Sequence, residues 1–300
     1  MPTFSKAEQA SALHLIDLAL LEDFGDLGDI TSVATIPEKL EGKAAFAART
    51  EGVLAGLAVA EAVARRIDPR LKFEGKLADG DRLTKGAVIA TIAGPMRGLL
   101  AVERTALNFL QRLSGVATLT QQFVDTVGNP KTHLLDTRKT TPGWRLLEKY
   151  AVRCGGGRNH RIGLYDAILI KDNHLAAIRE AETHGSTEDF WKVFAGRLAK
   201  IRADYPGVVL EVEVDSLEQF DRLLPLKPDI ILLDNMTNDQ LRTAVATRNR
   251  LDPAVQLEAS GGVSLETIRG IADTGVDRIS VGAMTHSAKA LDIGLDYLGE

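Results

Sequence analysis

From residue 133 onward, short apolar runs alternate with amphipathic segments. The runs are 133–135, 167–170, 208–214, 230–233, 255–258 and 278–281. Helical periodicity fills the gaps at about 143–154, 175–204, 216–224, 237–250 and 264–274. A strand followed by a helix, repeated, leaves few folds open. Successive strands must run parallel, each reached by a right-handed crossover, with helices covering the sheet. Six such strands, or seven, predict an incomplete (β/α) barrel. A doubly wound open sheet is the structural alternative.

The first 115 residues are of another texture. Leu13, Ile16, Leu20 and Leu21 have helical spacing, so a helix is expected over 5–22. A turn-rich acidic stretch follows. Short apolar pieces at 44–47, 53–57, 71–73 and 88–92 are separated by Gly, Asp and Lys, which predicts a small, mostly antiparallel sheet with a helix near 57–67. A long helical pattern then runs from Leu99 to about Val127. The expected organisation is α/β: an N-terminal α+β sandwich domain over 1–115, then an α/β barrel over 116–286. A C-terminal helix, 287–300, is expected to pack back on the first domain.

Composition narrows the class of function. The net charge of −5 argues against a nucleic-acid binder, which favours a basic surface. Cys154 is the only cysteine, so no intrachain disulfide exists, and it reads as a small buried apolar residue. No basic-then-apolar leader opens the chain, and no apolar run approaches the ~18 residues of a membrane span. The expectation is a cytoplasmic protein with no membrane partner.

Against that acidic background, residues 138–171 carry eight Lys or Arg and only two acids. Arg138 and Lys139 follow an apolar run, as does Lys171. Arg158, His160 and Arg161 follow three glycines. Cations at the ends of apolar runs and beside glycines suit a concave site for a multiply charged anion. Arg145, Lys149 and Arg153 fall at helical spacing and read instead as a solvated face.

In (β/α) barrels the chemistry gathers at the C-terminal ends of the strands. Those positions here hold Arg138-Lys139, Lys171, Glu213, Asp234, Ser260-Gly261-Gly262 and Gly282. Two late glycine turns suit a phosphate cradle of backbone N–H groups, with His286 four residues beyond Gly282. Glu213 and Asp234, one βα unit apart, can hold Mg²⁺ or accept hydrogen bonds from sugar hydroxyls. Glu211 shares a strand face with Glu213 and reads as a barrel-interior partner. The combination suits a phosphorylated sugar carrying pyrophosphate, with a small acid as second substrate.

Longer motifs sharpen this. Glu103–Thr118 (ERTALNFLQRLSGVAT), Asp136–Gly143 (DTRKTTPG), His160–His174 (HRIGLYDAILIKDNH), Glu211–Asp215 (EVEVD) and Leu233–Asn235 (LDN) resemble the quinolinate phosphoribosyltransferase family, in order and at fitting spacing from about Glu22 to Leu295. The resemblance implies a carboxylating nicotinate-nucleotide pyrophosphorylase. Quinolinate and phosphoribosyl pyrophosphate would give nicotinate mononucleotide, pyrophosphate and CO₂, with Mg²⁺ as cofactor, in NAD biosynthesis. It also implies a homodimer with a shared active site, the N-terminal domain of one subunit capping the other's barrel. Carried over residue by residue, Arg104 (from the partner subunit), Arg138, His160, Arg161 and Lys171 would bind the quinolinate carboxylates. Lys139 would stand where the two substrates meet. Glu213 and Asp234 would face the ribose hydroxyls and Mg²⁺, with Lys139, Lys171, Glu213 and Asp234 forming the catalytic set. Ser260, Gly261, Gly262, Gly282 and His286 would hold phosphate.

Two departures from the family pattern stand out. Trp144 follows Thr-Pro-Gly where a smaller aliphatic residue is expected, beside Arg138. The stretch 182–196 lengthens the spacing from Lys171 to Glu213, as an extended helical connection would. Two other readings compete. A paralogue serving another acid would prefer nicotinate, and the complete cation set argues against it. A non-catalytic sensor of phosphoribosyl pyrophosphate would gain nothing from the Glu213/Asp234 pair.

Overall fold

The computed structural model describes residues 2–183 and 187–299. Its elements in chain order are α1 Lys6–Phe24, α2 Ile30–Thr35, β1 Glu41–Ala48, β2 Gly52–Val53, α3 Leu57–Ile67, β3 Lys72–Gly75, β4 Arg82–Leu83, β5 Val88–Pro95 and α4 Met96–Val127. There follow β6 His133–Leu135, α5 Arg145–Cys154, β7 Ile168–Ile170, α6 Asp172–Thr183, α7 Thr187–Asp204, β8 Leu210–Val214 and α8 Leu217–Leu223. The chain closes with β9 Ile230–Asp234, α9 Asn238–Leu251, β10 Gln256–Ser260, α10 Ile268–Ala272, β11 Arg278–Ser280, α11 Ala283–His286 and β12 Ile293–Gly299. No described helix is long and apolar enough to cross a membrane.

Two compact units result. The first joins residues 1–124, 139–158 and 282–300; the second joins 125–138 and 159–281. The first holds a four-stranded antiparallel sheet in the order β12-β1-β5-β3 and a small β2-β4 ladder. Its central strand β1 buries Ala44 to Ala48 almost continuously, so it reads as an apolar run without clean alternation. The helix expected over 287–300 is instead the strand β12, paired antiparallel with β1. Tyr297 and Leu298 are exposed on this edge strand. Sheet pairing that spans the whole chain cannot be seen in a local pattern.

The second unit is a six-stranded parallel sheet in the order β6-β11-β10-β9-β8-β7. The first strand pairs with the last, as in a barrel, while β6 and β7 are not neighbours, so the barrel is incomplete. The six expected strands all form. Strands β8 and β9 are buried along nearly their whole length, as parallel strands covered on both faces must be. The lengthened connection is two helices, α6 and α7, and residues 184–186 of it lie outside the described residues.

Two readings of α5 change. Lys149 is buried and Arg153 forms an ion pair with the buried Glu8 of α1 at 2.8 Å, so this is no solvated face. It packs against α1. Trp144, at the α5 N-cap, stacks on Phe109 of α4 with centroids 4.9 Å apart and planes 18° apart. The large side chain is accommodated in an aromatic contact worth about 0.5–1.5 kcal/mol beyond its buried area.

The Leu-Ser-Gly motif of α4 has a packing reason. A Cβ on Gly115 would stand 1.9 Å from the backbone oxygen of Lys289. Gly115→Ala is therefore expected to destabilise the chain at the upper end of the roughly 1–3 kcal/mol typical of overpacking, because backbone cannot swing away. Urea unfolding of the variant against the parent measures it, and an unchanged midpoint would contradict this contact.

Candidate active site

The second unit brings together most of the strand-end residues. Lys171, just past β7, forms an ion pair from Nζ to Glu213 Oε2 at 2.9 Å. Asp234 ends β9, and its Oδ2 accepts from the Asn235 side chain at 2.7 Å. Ser260 is the register partner of Asp234 on β10. Glu213, Asp215, Asp234, Asp172, Arg179 and Trp191 line one cleft of about 410 Å³. Burial, and then the charge of Glu213, push the Asp234 carboxyl above its usual range. Two carboxylates crowded at neighbouring strand ends are a site that gains from a cation.

A mirror-image tension exists among the cations. Burial, and then the charge of Arg138, push the Arg161 guanidinium below its usual range. Its Nη1 donates to the Ala167 carbonyl at 3.1 Å, which aims the side chain without neutralising it. A like-charged arginine pair gains from an anion.

The Ser-Gly-Gly turn is shaped by one close approach. Gly261 has φ +91°, and a Cβ there would stand 2.1 Å from Asn235 Oδ1. The Asn235 N–H donates to the Ser260 carbonyl at 2.9 Å, and Asn235 itself sits at φ +53°. Asn235 therefore ties the Asp234 carboxylate to the glycine turn. Its place in the Leu-Asp-Asn motif was visible, but this tie depends on strand neighbours that only the folded sheet supplies.

His160 is placed differently from a simple carboxylate ligand. Its Nε2 faces Glu211 at 3.0 Å and Glu258 at 3.4 Å, and its Nδ1 accepts from the Arg161 N–H at 2.8 Å. Its own N–H donates to the buried Asp136, which also accepts from Asn159. Both ring nitrogens are engaged inside the unit. Glu258 in turn accepts from Arg278 at 2.7 Å. The interior partner expected for Glu213 is thus Glu211, inside a cluster that includes a strand-centre Glu258 not anticipated from sequence.

This cluster holds one shared proton. Burial disfavours a charged His160, but the hydrogen bonds and charges of Glu211 and Glu258 outweigh it and raise its pKa to about 9. Burial, and then the charge of Glu258, also raise Glu211. These are two views of one titration. Because the Arg161 N–H needs a lone pair on Nδ1, the proton belongs on Glu211. Among the described residues, His160, Glu211 and Glu258 are close enough to suggest a metal site. The same Nδ1 contact puts the ring hydrogen on Nε2, where a metal would have to bind, so the trio does not fit one.

The remaining expected residues lie in the first unit. Lys139, Gly282 and His286 converge: a Cβ on Gly282 would stand 3.0 Å from Lys139 Cδ and 3.2 Å from His286 Cδ2. His286 Nδ1 lies 2.7 Å from Ser287 Oγ. Arg104 is exposed on α4 and lines a separate cleft of about 370 Å³ with Glu22, Phe109 and Trp144.

Residues 29–114 match the model of the quinolinate phosphoribosyl transferase N-terminal domain, and residues 116–296 match that of its C-terminal domain. The chain belongs to the quinolinate phosphoribosyltransferase family. A nicotinate-nucleotide pyrophosphorylase [carboxylating] of Mycobacterium leprae is 45% identical over 297 residues, covering 97% of this chain and 99% of the relative. A quinolinate phosphoribosyltransferase [decarboxylating] of Nicotiana glauca is 42% identical over 292 residues, covering 94% of this chain and 81% of the relative. Among solved structures, NadC of Streptococcus pyogenes superposes with a TM-score of 0.86 at 40% identity, covering 96% of this chain and 98% of that one. Membership in this family accounts for the two domain-length matches and for the long motifs at once.

Proposed function

We propose that this chain transfers phosphoribosyl from phosphoribosyl pyrophosphate to quinolinate with decarboxylation, giving nicotinate mononucleotide, pyrophosphate and CO₂ in the cytoplasm. The observation that carries the reading is the pairing of opposite tensions in one unit. Arg138 and Arg161 crowd two cations, while Glu213 and Asp234 crowd two carboxylates beside Lys171.

The chemistry needs both. Quinolinate brings two adjacent carboxylates and the other substrate several phosphate charges, so the cations offset a repulsion that would otherwise keep them apart. Arg138, Arg161 and Lys171 bind the quinolinate carboxylates, with His160 at the same end and Arg104 contributed by a partner subunit in a homodimer. Lys139, Ser260, Gly261, Gly262, Gly282 and His286 hold the phosphate groups. As pyrophosphate leaves, positive charge develops on the ribose, and the fixed carboxylates Glu213 and Asp234 stabilise it. The pyridine nitrogen attacks that carbon. The ring nitrogen is then cationic and stabilises the electron pair left on the adjacent ring carbon when the carboxylate departs as CO₂, and a proton taken up from solvent at that carbon completes nicotinate mononucleotide. No protein nucleophile is needed, so catalysis is positioning and electrostatics.

Glu213 and Asp234 also fit Mg²⁺, which takes carboxylate oxygens together with substrate phosphate. Bound there, it would neutralise charge on the pyrophosphate. The deciding experiment is an assay for nicotinate mononucleotide from quinolinate with Mg²⁺ present, with nicotinate as competitor. Quinolinate-dependent product is expected; a preference for nicotinate, or no turnover, would overturn the reading.

A further inference from the structure

A partly buried ion pair within the first unit grips the segments that carry Lys139 and His286. Arg112 of α4 donates from Nε to Glu148 Oε1 at 3.1 Å, and Glu148 is fully buried in α5. The remaining capacity of Glu148 goes to one residue: Oε1 accepts from the Thr141 hydroxyl at 2.8 Å and Oε2 from the Thr141 N–H at 3.1 Å. The remaining reach of Arg112 goes elsewhere, to the Thr285 carbonyl at 2.6 Å and the Ala288 carbonyl at 2.9 Å. Thr285 completes the circuit. Its buried hydroxyl donates to the Lys139 carbonyl at 2.7 Å and lies 3.1 Å from the Gly282 carbonyl.

One pair therefore ties two pieces of chain to α4 and α5. The carboxylate fixes the 139–141 segment from below, the guanidinium fixes the end of α11, and the Thr285 hydroxyl locks the two together directly at Lys139. The Lys139 side chain lies over Gly282, next to His286. A long flexible lysine is useful to a phosphate only if its backbone is held, because ordering it costs side-chain entropy. Charge-assisted hydrogen bonds anchored on a buried carboxylate are strong and directional enough to do this.

We propose that Arg112, Glu148 and Thr285 are positioning residues for the phosphate-binding end, acting through the Lys139 backbone and α11 and touching no substrate. The inference rests on the proposed function and adds to it three residues outside the expected site. It requires an effect on phosphoribosyl pyrophosphate that is not shared by quinolinate, which a general loss of packing would not produce.

The test compares Thr285→Val, which keeps the shape and removes the hydroxyl, with Thr285→Ser, which keeps the hydroxyl. Each is assayed with one substrate varied and the other saturating. Thr285→Val is expected to raise KM for phosphoribosyl pyrophosphate roughly five- to tenfold, the scale of one lost hydrogen bond, with KM for quinolinate unchanged. Thr285→Ser is expected to restore the parent value. Thr141→Val, which removes the hydroxyl donor to Glu148 on the opposite side of the circuit, is expected to shift the same constant and serves if Thr285→Val does not fold. No change in KM, equal changes for both substrates, or failure of serine to rescue a folded protein would overturn the proposal. A parent enzyme that makes no nicotinate mononucleotide would instead overturn the function on which it rests.

Discussion

Lys171→Ala is expected to lower kcat/KM for quinolinate by roughly 100- to 1,000-fold, the scale seen when one preorganised electrostatic group is removed from a reacting centre. Two losses combine. The cation proposed to face the acid substrate is removed, and Glu213 is left without the ammonium 2.9 Å away. The freed carboxylate then adds its charge to Asp234, which burial and Glu213 already push upward. Stability should change little, because the Lys171 side chain is about half exposed and such pairs contribute only about 0–1 kcal/mol. Steady-state kinetics together with thermal unfolding check both halves. Parent-like rates in a folded variant would remove Lys171 from the acid-binding set.

Arg278→Met should act in the opposite way, on the fold more than on the substrate. Arg278 is the cation that answers Glu258, a carboxylate with no solvent exposure. Removing one partner of a buried pair costs about 3–5 kcal/mol, since the remaining charge keeps its desolvation penalty. The pH dependence gives the sign. In the parent, burial raises Glu258, but the His160 contact and the Arg278 charge outweigh it and hold the carboxyl below its usual range. That contribution is present above the ordinary glutamate range and is lost as pH falls. Without Arg278, burial dominates and Glu258 moves up, so the cost grows with pH and shrinks on acidification. The proton held on Glu211 adds a parent trend of its own. Burial and the charge of Glu258 raise that carboxyl, so its contribution to stability is present at acid pH and declines as pH rises above the ordinary glutamate range. Urea unfolding of parent and variant between pH 5 and 9 tests this. A gap that widens on acidification would refute the role given to Arg278.

The placement of much of the candidate site could be read from strand ends. Lys171, Glu213, Asp234 and Ser260 lie at the ends of β7, β8, β9 and β10, where the alternation of apolar runs and helices placed them. Residue types sufficed there because the end of a buried parallel strand is the one place on it where a polar side chain meets a cleft. His160 was legible as a site-segment residue but not in its orientation. Its ring turns toward Glu211 and Glu258, which arrive from β8 and β10, far away in sequence. The same distance hid Thr285 and Glu148, whose partners lie 146 and 36 residues off. Lys149 misled for a related reason: helical spacing marks a face but does not say what packs on it.

The sequence alone determined the succession of parallel strands, the long α4, the anion-seeking cation set and, through its long motifs, the family. These depend on local periodicity and on residue identity at fixed spacing. Only the tertiary structure decided that the last segment is a strand pairing with β1, and that the gap of the incomplete barrel falls between β6 and β7. It also decided which carboxylates are buried against which cations. Those outcomes are set by pairing and desolvation between residues distant in the chain, and neither is encoded in any one stretch of it.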